Sequence, residues 1–335
     1  MSNYTSANHY ASVLCALAQD KGLDADRLLA TAGISKDVLQ HPRARVLTDK
    51  ISSMVQQIWD ELQDENMGLT LQPCRPGAFH MLGKLMVHAP SLGRAIGRGI
   101  QFYAILLQDY QLHLTVEGDE ACFSIKLRRP ELDRDNLLVE LIMLSWHRFC
   151  SWLIGQHIIL TGATFAYPRP PHIDEYQFLF PCPHAFDQGV NSFTFNTRYL
   201  NQAPIQSHES LKSFIAGCPT NLFVKHSNDE SITTRVRLLI EADIANGFPD
   251  LVAMAEQLNM NKQTLRLKLK AEGSSYQQIK NLLRRDSAIY HLVHQPSLPI
   301  SEIANLVGFS EPGVFIRAFK GWTGLTPGHY RTDKS

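Results

Sequence analysis

Apolar residues recur every three or four positions through most of the first 65 residues, the spacing of amphipathic helices. "NHYASVLCALAQDKG" predicts a helix that stops at Gly22. "DADRLLATAG" predicts one that starts on an acidic cap and stops at Gly33. "LTDKISSMVQQIWDELQ" predicts a third, with Thr48 as N-cap. The Pro/Gly-marked turn "QPCRPG" then leads into "AFHMLGKLMVHA" and "SLGRAIGRGIQFYAILLQ", divided at Pro90. Next the rhythm changes. "DYQLHLTVEGDEACFSIKLRR" alternates apolar and polar residues on both sides of "EGDE", which predicts a β-hairpin. A long helix over 135–155 follows. "HIILTGATFAYP" and "NSFTFNTRYL" predict strands, with the short helix "IDEYQFLF" between them. Residues 1–200 therefore read as one α+β domain. The pattern weakens over 201–230, where Pro204, Gly217 and Pro219 punctuate a linker. From Ser231 to the end everything reads as helix. The expectation is an all-α domain over 231–335, with residues 225–335 folding on their own.

This helical region carries one pattern twice. Ala255 aligns with Ala304, Leu258 with Val307, Asn259 with Gly308, Met260 with Phe309 and Asn261 with Ser310. After one inserted residue, Leu269 matches Phe319. The offset is 49 residues at the start and 50 at the end. Each copy reads as a short apolar helix, a tight turn, and a second helix opened by a capping residue, Asn261 or Ser310. That is helix-turn-helix grammar, placed at about 250–271 and 299–321. The second helix of such a unit can lie in the major groove of DNA.

In the first copy Leu265 and Leu269 point to the core. Asn261, Lys262, Gln263, Arg266, Lys268 and Lys270 fall on the other faces. In the second copy Phe315 and Phe319 are the core positions, and Ser310, Glu311, Arg317 and Lys320 are outward. Arg and Gln suit base edges, because guanidinium and amide groups bond guanine and adenine bidentately. Lys suits phosphates. Between the copies lies "SSYQQIKNLLRRDSAIYHLVHQ", which predicts a helix of roughly 30 Å. Successive major grooves on one DNA face are about 34 Å apart. The chain thus reads as two readers for two neighbouring grooves.

Composition sharpens this picture. The formal net charge is zero, but from Ser231 onward 13 Lys/Arg face 9 Asp/Glu, a net of +4. Residues 1–230 carry 19 basic and 23 acidic residues, a net of −4. A basic end on a neutral chain points to an anionic partner for that end. The apolar share of 44% and charged share of 19% over 335 residues are those of an ordinary globular protein of one to three domains. Six cysteines, at 15, 74, 122, 150, 182 and 218, form no C-x-x-C. With no N-terminal signal pattern, they read as reduced core residues of a cytoplasmic protein. The most apolar run, 137–160, contains Glu140, His147 and Arg148, and so reads as a buried helix rather than a membrane span.

Other chemistries find little support. "GRAIGRGIQ" holds Gly93, Gly97 and Gly99 but lacks G-K-[ST]. It reads as close helix packing, not a P-loop. His147 and Cys150, three apart, have no second ligand pair, and "PCPH" (Cys182, His184) reads as a turn. No nucleophile elbow or carboxylate pair stands out. The expectation is a non-enzyme without cofactor or metal.

The C-terminal 105 residues resemble the DNA-binding domain of the AraC/XylS family of bacterial transcription regulators. The resemblance is carried by "IANLVGFSEPGVFIRAFKGWTGLTPGHYR", by "LKAEGSSYQQI" and by the paired motifs at a 49-residue offset. The first 200 residues resemble the effector domain of the branch that includes ornithine- and arginine-responsive regulators. "GLDADRLLATAGIS", "RPGAFHMLGKLMVHAPSLGRAI" and "YQFLFPCPHAFDQGVNSFTF" carry this. The resemblance implies promoter DNA and RNA polymerase as partners, mostly as an activator. It implies base or backbone contacts from Gln263, Arg266 and Arg317. The family often has a basic residue where Leu267 stands, and polar ones where Gly313 and Val314 stand. It implies an amino-acid effector, while "FYAILL" would equally suit a fatty or aromatic acid. Arg75, His80, Arg94, Arg98, Tyr103 and Arg148 are the candidate anchors for a carboxylate. A ligand-free N-terminal domain that serves only homodimerisation or protein interaction is the alternative.

Overall fold

The computed structural model describes residues 5–41, 44–223, 232–242, 248–272 and 274–332. Contacts divide the chain into two compact units. One joins residues 1–19 and 24–54 to 230–335; the other comprises 20–23 and 55–229. The α+β organisation of the N-terminal region and the helical C-terminal region with two helix-turn-helix motifs are as expected. The grouping departs from the boundaries read along the sequence, because the first fifty residues cluster with the last hundred.

The second unit is built on a five-stranded sheet in the order Tyr110–Glu117, Glu120–Leu127, Asn191–Asn196, Leu160–Thr164 and His184–Ala185. Its strands are β3 (Tyr110–Glu117), β4 (Glu120–Leu127), β5 (Leu160–Thr164), β6 (His184–Ala185) and β7 (Asn191–Asn196). β1 (Thr5–Ala7) and β2 (Arg45–Leu47) form a separate pair in the first unit. The hairpin forms at "EGDE", with Glu117 paired to Glu120 and Gly118 at φ 56. Only glycine takes that left-handed turn without steric cost. The strand expected over "NSFTFNTRYL" stops at Asn196. The Asn196 side chain accepts from Arg198 N and turns the chain into a short 3-10 helix, Thr197–Asn201.

Helix Leu137–Leu153 packs on this sheet, where Phe123 stacks on Phe193 at 5.1 Å and lies 4.8 Å from Trp146. Helices Ala78–Val87 and Leu92–Leu106 meet close to Gly99. A Cβ there would come 2.6 Å from Trp146 and 2.9 Å from Leu82, so the glycine serves close packing. His147 is fully buried with Nε2 2.8 Å from the Ile158 carbonyl oxygen.

The linker expected over 201–230 is corrected for its described part. Ser207 caps a helix, His208–Ala216, whose Leu211 and Phe214 are buried, and Thr220–Phe223 follows. Gly217 and Pro219 punctuate packed structure, not a spacer. Residues 224–230 lie outside the described residues. Among the described residues, no helix is long and apolar enough to cross a membrane.

In the first unit, β1 and β2 bring Thr5 and Arg45 onto the connecting helix Tyr276–His294. Thr5 Oγ1 donates to Asp286 Oδ1 at 2.6 Å, and Arg45 Nε donates to Thr5 Oγ1 at 2.7 Å. Arg285 pairs with Asp286 at 3.0 Å, and the Tyr330 hydroxyl donates to the Arg45 carbonyl. Thr5, Arg45, Asp286 and Tyr330 are all buried. A polar cluster of this kind forms only when its members are covered together.

Candidate nucleic-acid interface and ligand cavity

The doubled pattern is the same turn built twice. Helix Leu251–Gln257 ends at Leu258, and helix Ile300–Leu306 ends at Val307. The next residue is left-handed in both, Asn259 at φ 54 and Gly308 at φ 75. Asn259 N donates to Glu256 O at 2.9 Å and Met260 N to Ala255 O at 2.9 Å. Gly308 N donates to Asn305 O at 2.9 Å and Phe309 N to Ala304 O at 2.9 Å. This 6→1 and 5→2 pairing is the Schellman closure of a helix. The apolar residue after it, Met260 or Phe309, packs back on the core.

The second helices then follow. Asn261 caps Lys262–Ala271, its side chain accepting from Thr264 N at 2.8 Å. Leu265 and Leu269 are buried, while Lys262, Gln263, Arg266, Lys268 and Lys270 are exposed. In the second copy the helix is Pro312–Thr323, with Phe315 and Phe319 fully buried and Arg317 and Lys320 exposed. Ser310 is not its cap. Glu311 holds that position without a side-chain bond, because Pro312 supplies the first helical residue and needs no N–H acceptor. Among the described residues no ion pair engages Arg266, Lys268, Lys270, Arg317 or Lys320. Leu267, 59% exposed, stands on the outer face of the first of these helices. Val314 and Ile316 stand outward on the second. Apolar groups there can contact a thymine methyl.

The connecting helix has 19 residues, about 28 Å at 1.5 Å per residue. It grips both motifs through a stripe the sequence reading missed. Tyr276 Oη donates to Pro249 O at 2.6 Å, and Lys280 Nζ to Phe248 O at 3.2 Å. Arg284 donates to Gly308 O at 2.8 Å, with its guanidinium 4.8 Å from the Phe248 ring and 4.6 Å from the Phe309 ring. Burial holds the Lys280 and Arg284 pKa values below their usual range. The signal was a four-residue spacing, 276-280-284, on one helix face. Burial of a cation on that face was not readable from it.

The second unit holds a cavity of about 80 Å³ between helices Thr48–Leu62, Ala78–Val87, Leu92–Leu106 and Leu137–Leu153. Of the six proposed anchors only Tyr103 lines it. Arg75, Arg94 and Arg98 are exposed elsewhere, and His80 is half-buried off the wall. Arg148 is buried and donates to Phe178 O at 3.3 Å. The charged group in the wall is Glu65, which sequence reasoning passed over. Asp64 and Glu65 stitch the loop beneath the cavity. Asp64 accepts from Asn66 N, Gly68 N and Cys74 N at 2.7–2.9 Å, and Glu65 from Gly77 N at 2.7 Å and Phe79 N at 3.0 Å. Among the described residues no group of three His, Cys, Asp or Glu could hold a metal ion.

Comparison with known proteins agrees with this geometry. Residues 22–204 match the family described as the arabinose-binding domain of AraC transcription regulators, N-terminal, and residues 254–333 match a helix-turn-helix domain. An ornithine utilization regulator of Pseudomonas aeruginosa is 27% identical over 96% of this chain and 95% of its own. The transcriptional regulator VqsM of the same species is 36% identical over 99 residues, 30% of each chain. The solved structure of CdpR, also from P. aeruginosa, covers 92% of this chain and 96% of its own, at 20% identity and a TM-score of 0.32.

Proposed function

The chain belongs to the AraC family of DNA-binding transcription regulators, and we propose that it is an activator controlled by a small molecule bound in its second unit. The observation that carries the DNA-binding half of this reading is the duplicated Schellman-closed motif. It presents a basic second helix twice, on a connecting helix about as long as one turn of DNA. Gln263 and Arg266 read base edges in one major groove, while Lys262, Lys268 and Lys270 meet phosphates. Arg317 reads the next groove, with Ser310, Glu311 and Lys320 at its margin. Asn261 acts through its cap, which fixes the start of the reading helix.

The cavity supports ligand control, and a relative named for ornithine utilization aligns over nearly the whole chain. The effector class in this reading is an amino acid or another organic acid or amine of similar size. The protein works in the cytoplasm, contacts RNA polymerase when bound at a promoter, and is a homodimer on operators with two boxes.

Footprinting of the full chain on DNA upstream of its own gene tests the reading. The expected result is protection of two successive major grooves on one face by each monomer, with two dissimilar half-motifs. A single short palindrome with one groove occupied per subunit would refute it.

A further inference from the structure

The cavity wall of the second unit combines aromatic faces with one carboxylate. Trp59, Phe79, Tyr103, Tyr110 and Trp146 supply the faces, and Glu65 supplies the charge. Tyr103 lies 5.5 Å from Tyr110 and 6.4 Å from Trp146, centroid to centroid. Among the described residues, no Lys, Arg or His lines the cavity. Two backbone N–H groups hold the Glu65 oxygens, no cation among the described residues offsets their loss of water, and burial raises its pKa. The Trp59 indole N–H is also buried, without a hydrogen-bond partner among the described residues. The volume of about 80 Å³ is several times the roughly 10–15 Å³ that one water needs.

We propose that this cavity binds a small organic ammonium ion with a short apolar body. Its charge lies against Glu65 and the ring faces, and its carbon chain lies along the apolar wall. The proposal rests on the reading of the second unit as the sensing unit and narrows its ligand class. A carboxylate has four acceptor sites, so Glu65 keeps capacity for an N–H donor after its backbone bonds. Ring faces attract cations through their quadrupole, most strongly where water is excluded. A carboxylate ligand would meet Glu65 as a like charge. A neutral ligand would leave the half-buried Glu65 charge uncompensated.

The test uses the full chain and three probes of equal length: n-butylammonium chloride, butan-1-ol and sodium butyrate. Trp59 and Trp146 are two of four tryptophans, so intrinsic fluorescence reports binding, and thermal midpoints report it independently. The expected result is that butylammonium binds at least ten-fold tighter than butanol and that butyrate does not bind. Glu65→Gln should lower butylammonium affinity at least ten-fold and abolish the preference over butanol. If that variant does not fold, the three titrations of the native chain decide alone. Binding of butanol or butyrate at or above the level of butylammonium, or no response to any probe, overturns the proposal. Promoter binding is measured on the same preparation. Its presence alongside a failed amine titration removes only the ammonium class, whereas its absence removes the regulator reading itself.

Discussion

Replacing Arg284 by Ala should weaken the DNA-binding unit by about 2–3 kcal/mol. The side chain makes one charge-assisted bond, to the Gly308 carbonyl at 2.8 Å, worth roughly 1.5–3 kcal/mol. It also stacks between Phe248 and Phe309 at 4.8 and 4.6 Å, and each such contact adds about 0.5–1 kcal/mol at a partly exposed site. These terms share one side chain and do not add in full. Loss of the partly buried guanidinium also relieves its desolvation, which trims the sum. The contacts join the turn of the second motif to the segment that opens the first. Their loss should therefore loosen the spacing of the two reading helices as well as stability. Urea unfolding of the full chain, followed through Trp322 in the second motif, gives the first number. Footprinting gives the second, as weaker protection of one groove relative to the other. Arg284→Lys keeps the charge without the planar stack and should fall between. A wild-type unfolding midpoint together with wild-type protection of both grooves would show that the arginine is a passenger and would sink the argument.

Arg266→Ala and Arg317→Ala should each weaken specific DNA binding by about 1–3 kcal/mol, while Lys270→Ala should weaken all sequences alike and lower the salt slope by about 1; gel shifts on specific and random DNA at several salt concentrations separate the two. Gly308→Ala should destabilise by roughly 2–3 kcal/mol, because a left-handed residue with a Cβ costs about 1–2 kcal/mol and that Cβ would lie 2.7 Å from Phe248 and 3.3 Å from Arg284; Asn259→Gly, at the matching place of the first turn, should leave the urea midpoint nearly unchanged. Burial pushes the Asp133 carboxyl up to about 6, so the folded state holds that proton more firmly than the unfolded chain. Its stabilising share is full below about pH 4 and is lost as pH rises through about 6, by about 3 kcal/mol; urea midpoints of Asp133→Asn should lack that part of the slope.

The motifs were legible because their signals are local and periodic. Leu265, Leu269, Phe315 and Phe319 mark a buried stripe at helical spacing, and Asn259 and Gly308 mark the turns. The hairpin at Gly118 was legible for the same reason. The cap of the second reading helix was misplaced because Ser310 and Glu311 compete for one position, and Pro312 decides it by geometry rather than by side-chain bonding. The false linker arose because Gly217 and Pro219 carry strong punctuation, while the burial of Leu211 and Phe214 depends on distant partners. Glu65 gave no pattern at all. Its place in the cavity follows from two backbone bonds to a loop more than ten residues away.

The union of Thr5 and Arg45 with Asp286 and Tyr330 also has a consequence for the order in which the chain can fold. Thr5 and Asp286 lie 281 positions apart, so the polar cluster cannot close until synthesis has passed Tyr330. At about 5–20 residues per second, the first strand waits tens of seconds for its partner. Chains cut short by a premature stop, or trimmed at the front by a protease, never assemble that cluster. The buried carboxylate of Asp286 is left with Arg285 as its partner from this cluster, on a face that has lost its cover. A chain that lacks either segment lacks that buried cluster.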